Sequence, residues 1–160
     1  MGKAGAVVVI AVWLGACKGD AGGGITDNTP PTTMPACQRT VVFEHSSAMP
    51  SQQFAYLVFS TTTVGRLDIT VDWTFATNTF LVALVEANTC TLDHLLSGGN
   101  CPALTLADSG GKPRRVSYFA STPTRYGLII VNTGSQDDAV GAQVVLASTG
   151  CPTITAAAAE

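Results

Sequence analysis

Glu44-His45-Ser46-Ser47 and Asp93-His94 are where this chain sets a carboxylate, a base and hydroxyls side by side. These are the parts of a hydrolytic triad, which works only if three side chains converge on one point. Neighbours along an extended strand point to opposite faces, so Glu44, His45 and Ser46 are expected to diverge. No Gly-x-Ser-x-Gly elbow accompanies them. Metal chemistry is no better served: there is no Cys-x-x-Cys pair, and His45 and His94 lack the spacing of zinc ligands. The expectation is a non-enzymatic chain without a cofactor, with a small secreted hydrolase the least favoured reading.

Calcium would need converging carboxylates. Asp68 and Asp72 share a strand face but stand about 13 Å apart, too far to chelate one ion. Asp137-Asp138, in the stretch after Gly134, could add oxygen ligands if a second loop converged, and are otherwise expected to keep a hairpin loop solvated. Lys112, Arg114 and Arg115 form the basic cluster and read as charged guards of an edge strand. Trp73, Phe75, Phe119 and Tyr126 could stack on a sugar if exposed. Trp73 is in phase with the apolar face of its strand, and Phe75 shares that face if the strand continues. Phe119 is therefore the candidate for an exposed, ligand-binding ring.

The N-terminal residues carry a different kind of signal. Lys3 is followed by an apolar run, Ala4 to Leu14, and then by small residues, the layout of a secretory leader. A helix through Ala4–Ala16 would be roughly 20 Å long. The hydrocarbon core of a bilayer is about 30 Å, so a membrane span is not expected. Leu14-Gly15-Ala16-Cys17 resembles the lipobox of bacterial lipoproteins, in which the cysteine is acylated and becomes the mature N-terminus. The resemblance implies that Cys17 is the lipidated residue and that the membrane is a partner through that lipid. It also implies an outer-membrane address, since Lys18 rather than Asp follows the cysteine. On this reading residues 1–16 are a signal peptide. Residues 17–36, with Gly22-Gly23-Gly24 and Thr29-Pro30-Pro31, are a flexible tether.

Once Cys17 is set aside, Cys37, Cys90, Cys101 and Cys151 remain, an even number for an oxidising compartment. Four cysteines allow three connectivities. Cys37 and Cys151 bracket the domain while Cys90 and Cys101 bracket one loop, so 37–151 and 90–101 is the natural pairing. The formal net charge is −3 and charged residues make up only 12%, which leaves no electrostatic footprint for nucleic acid.

These residues must be positioned by strands. Leu67, Ile69, Val71 and Trp73 alternate with Arg66, Asp68, Thr70, Asp72 and Thr74, the period of a strand with one buried face. Phe54–Ser60 and Thr79–Glu86 are apolar on both faces and are expected to be central. Further strands are expected near Thr40–Glu44, Arg115–Ser121, Tyr126–Asn132 and Val140–Ala147. Thr91–Leu96 offers at most one or two helical turns. The expected fold is all-β, an antiparallel β-sandwich of about 7–8 strands over residues 37–152, with a disordered tail at 153–160. Three segments, Gly65 to Trp73, Asn78 to Val85 and Arg125 to Asn132, resemble the bacterial pre-peptidase C-terminal domain. That resemblance implies a jelly-roll-like sandwich, but Thr77-Asn78-Thr79 replaces the Asp-rich start of the strand after the Trp, so the family's calcium site does not carry over. Together these features point to a lipid-anchored extracytoplasmic domain with a binding or structural role at the bacterial envelope. The alternative is a carbohydrate- or cell-wall-binding module, with or without calcium.

Overall fold

The computed structural model describes residues 36–108 and 111–152. The leader, Cys17, most of the tether and the tail lie outside the described residues. Eight strands and one short helix follow in the order β1 (Arg39–Met49), β2 (Phe54–Ser60), β3 (Gly65–Trp73), β4 (Phe80–Glu86), α1 (Leu92–Leu96), β5 (Thr105–Ala107), β6 (Arg114–Ala120), β7 (Arg125–Asn132) and β8 (Asp138–Ala147). They form two antiparallel four-stranded sheets: sheet A, in the order β1-β8-β3-β6, and sheet B, in the order β2-β7-β4-β5. The chain crosses between sheets at nearly every connection, and the strand order is that of a jelly roll.

The alternation in β3 works as its sequence dictates: Leu67, Ile69, Val71 and Trp73 are buried between the sheets. From sheet B they meet Phe80, Val82, Leu84, Leu128 and Ile130, and Trp73 and Phe80 pack with ring centroids 4.9 Å apart. Gly65 opens β3 because nothing larger fits: a Cβ there would lie 2.5 Å from the Ala147 carbonyl oxygen on β8.

A second, smaller apolar cluster lies on the outer face of sheet B. Ala83, Val85 and Ile129 are covered there by the Cys90–Cys101 loop, which contributes Cys90, Leu95 and Cys101. The Tyr56 hydroxyl donates to the Cys90 carbonyl, pinning this flap to β2. Thr91 caps α1, its hydroxyl accepting from the His94 N–H at 3.2 Å. Two disulfides close the frame, Cys37–Cys151 and Cys90–Cys101. They place the domain in an oxidising, extracytoplasmic compartment. Among the described residues, no helix is long and apolar enough to cross a membrane.

Three expectations are corrected. β2 is an edge strand of sheet B, not a central one. Its two-sided apolarity arises because Leu57 and Phe59 pack into the core while Tyr56 packs under the flap. β1 runs to Met49, through His45-Ser46-Ser47 and beyond the Thr40–Glu44 expected for it. β5, three residues long, was missed altogether. The central position expected for Thr79–Glu86 holds, with β4 lying between β7 and β5.

Candidate functional site

The outer face of sheet A is the polar surface of the sandwich. Side chains opposite those of the core emerge there, and strand register fixes which of them are neighbours. Glu44 lies opposite Gln143, Gln143 opposite Thr70, and Thr70 opposite Arg115, a row crossing all four strands. In the next row Ser46, Gly141 and Asp72 are aligned. Gly141 contributes no side chain, and a Cβ built on it meets nothing within 4 Å. The result is an open groove of about 550 Å³, with Gly141 as its floor and Glu44, Ser46, Thr70, Asp72 and Gln143 around it. It continues along β8 toward Ala139 and Thr74. A separate hollow of about 110 Å³ lies between β3 and β6, bordered by Asp68, Thr70, Arg115 and Ser117.

Beside the groove, Asp68 organises the charges. It accepts from Arg66 Nε at 2.8 Å, from Arg39 Nη1 at 3.1 Å and from the Ser117 hydroxyl at 2.9 Å. Burial pushes its carboxyl up, but the Arg66 and Ser117 hydrogen bonds and the charges of Arg66 and Arg39 outweigh it, and the pKa falls below the ordinary carboxylate value. Arg66 and Arg39 also donate to the Pro152 carbonyl, tying the end of the domain to its start. Arg115 is exposed, and its side chain makes no hydrogen bond or ion pair with the described residues. Asp72 lies 3.5 Å from Lys112.

The triad-like residues do not converge. Glu44 and Ser46 face outward, whereas His45, opposite the buried Ala142, turns to the inner side and stacks on Phe43. His94 sits in the flap, its Nε2 3.2 Å from the Asn100 carbonyl oxygen. Asp138 is not part of a solvated loop. It opens β8, is 5% exposed, and its carboxylate is enclosed by donors: the N–H groups of Thr74, Ala139 and Phe75 and the Asn78 amide. Burial raises its pKa, but these hydrogen bonds outweigh that and lower it below the ordinary value. Oxygens so engaged are turned away from any cation. Asp137 accepts from the Ser51 N–H at 2.8 Å, and no group of three potential metal ligands occurs among the described residues.

Arg114 is also unlike its expected role. It is 5% exposed, donates to the Phe80 carbonyl at 2.9 Å and lies over the Trp73 ring, so of the basic trio it is a core residue. β6 is an edge strand that carries the exposed Arg115, whereas Lys112, just before it, donates to the Thr74 carbonyl. Phe119 is 53% exposed on the outer face of sheet A, as its phase suggested, while Trp73 and Tyr126 are buried. Phe75 is 47% exposed, because β3 ends at Trp73 and the chain turns before the alternation reaches it. Four residues separate Phe119 from Arg115 on β6, about 13 Å, which sets its ring apart from the groove. Gly141 and Gln143 had no motif to announce them. Their signal is a glycine and an amide on the outward phase of β8, meaningful only once the register is known.

No family model matches this chain, and no curated protein does. Among solved structures, a mitogen derived from Yersinia pseudotuberculosis is similar with a TM-score of 0.50 and 12% identity, over 72% of this chain and 100% of that one. What the two share is the sandwich. Nothing about the chemistry of the outer face follows from so low an identity.

Proposed function

We propose that this protein is a non-catalytic binding module, held at the bacterial envelope by lipid on Cys17, that takes its ligand on the outer face of sheet A. The observation that carries the binding site is the Gly141-floored groove: the larger of two recesses described on this sheet face, bordered by five polar side chains and left open by the fold. The divergence of His45 from Glu44 and Ser46 supports a binding rather than a catalytic role, since an imidazole stacked on Phe43 on the inner side of β1 is not placed to serve a Ser46 nucleophile on the outer one. The oxidising compartment indicated by the disulfides accords with export through the leader, and the Cys17 lipid follows from the lipobox resemblance.

A carbohydrate ligand is the more specific reading. Glu44, Asp72 and Gln143 are planar groups that can bridge adjacent hydroxyls, and Ser46 and Thr70 add hydroxyls that donate and accept. The test is co-sedimentation of the full chain with insoluble peptidoglycan sacculi, alongside Gly141→Leu, which fills the groove without touching the core. Retention of the wild type and loss by Gly141→Leu is the expected result. Equal behaviour of the two would remove the groove from the function. The anchor is tested separately by the intact mass of the mature protein, where a mass lacking acyl chains would overturn it.

A further inference from the structure

We propose that the free edge of β2 is a self-association surface, through which two copies of this chain join their B sheets into one continuous eight-stranded sheet. A jelly roll of two four-stranded sheets has four edges, and exposed edges invite pairing unless something blocks them. Three are blocked here. β6 carries Arg115 and follows Pro113, β5 is only three residues long, and β1 carries a bulge between Val41 and Phe43. β2 has none of these devices. It is seven residues long, Phe-Ala-Tyr-Leu-Val-Phe-Ser, with no charge, no proline and an unbroken register against β7.

The ladder shows which backbone groups are open. Asn132 N–H donates to the Gln53 carbonyl and Thr61 N–H to the Thr124 carbonyl, so the odd-numbered residues of this segment face β7. In an antiparallel pair the hydrogen-bonding direction alternates residue by residue. The N–H and C=O groups of Phe54, Tyr56, Val58 and Ser60 therefore point away from β7, and no other described strand pairs with them. The outward side chains Phe54 and Val58 are each 39% exposed.

The occupant that fits is a second copy. Antiparallel pairing about a two-fold axis at Leu57 sets Tyr56 opposite Val58 and Phe54 opposite Ser60 of the other chain, so all four outward residues find partners at once. A strand lacking charge on both faces sets no like charges against each other in such a pairing. The arrangement leaves the outer faces of both A sheets uncovered and goes beyond the proposed ligand-binding role, which it does not need.

Photo-crosslinking of the full chain in its membrane tests this. A benzophenone amino acid replacing Phe54 is expected to give a band at twice the protein's mass, whereas the same group replacing Phe119, on sheet A, is expected to give none. Val58→Pro removes one outward N–H and leaves the β7 ladder intact, and should reduce the Phe54 band at least tenfold. Val58→Lys, which places a charge on the edge, should do the same where the proline variant fails to form both disulfides. No double-mass band from Phe54, a band at another mass in its place, an equal band from Phe119, or a band that survives both Val58 substitutions would each overturn the proposal.

Discussion

Asp138→Asn is the perturbation that most directly probes how this sandwich is closed at the β3–β8 end. The carboxylate receives two hydrogen bonds on each oxygen, from Thr74 and Ala139 N–H on Oδ1 and from Phe75 N–H and the Asn78 amide on Oδ2. An asparagine keeps one oxygen, so whichever way its amide turns, two donors confront an NH₂. A hydrogen bond to a charged group contributes about 1.5–3 kcal/mol. The loss should therefore be about 3–5 kcal/mol, in line with breaking a buried charged network. For a domain of this size each kcal/mol moves the Tm by about 4 °C, so a fall of about 12–20 °C is expected. The measurement is thermal and urea unfolding followed by circular dichroism between pH 7 and pH 3. Because the folded pKa of Asp138 is depressed, its contribution is complete above the unfolded value near 3.9 and disappears as the pH falls through the folded value. The wild type should then lose stability faster than the variant in acid, and the gap between them should narrow. A variant within about 1 kcal/mol of wild type at pH 7, or a gap constant through the acid range, would refute the role assigned to the network.

Cys90→Ser with Cys101→Ser should cost about 3 kcal/mol and Cys37→Ser with Cys151→Ser about 4–5 kcal/mol, from the lengths of the loops they close, as read by urea unfolding. Hydrogen exchange should separate the two, with the flap pair accelerating amides in residues 90–101 while β3 stays protected. Gly141→Leu should leave the fold intact and raise stability by about 0.5–1 kcal/mol, because a strand glycine is replaced where nothing obstructs a Cβ. Phe119→Ser should change stability by less than about 0.5 kcal/mol in the same unfolding assay, the side chain being half in solvent.

Alternation alone was enough to read the core face of β3, and Trp73 followed from its phase. The same argument applied to Phe54–Ser60 misplaced the strand, because a sequence does not show whether an apolar outer face is covered by a neighbouring strand or by a distant loop. Here the Cys90–Cys101 flap does the covering. Asp138 read as a soluble loop residue since acidic pairs usually are. Its burial depends on three backbone N–H groups, two of them just past the end of β3, and on the Asn78 amide, whose convergence is set by the fold. Arg114 went astray for a related reason: its aliphatic stem and its hydrogen bond to Phe80 allow a cation to sit over Trp73 in the interior. The groove was the least legible feature. Thr70 and Asp72 were correctly placed on the polar face, but the recess depends on β8 presenting Gly141 between them and Ser46, a matter of cross-strand register.

The Cys37–Cys151 bond has a mechanical meaning. Cys37 precedes β1, an edge strand of sheet A, and Cys151 follows β8, the strand it pairs with. A load entering through the residues before Cys37 would otherwise peel β1 off β8 one rung at a time, the geometry in which a sheet is weakest. With the two ends covalently clasped, that load passes to both strands together and pulls along their length, where many rungs must fail at once. Such a domain can be tugged repeatedly from its N-terminal side and keep the outer face of sheet A in shape.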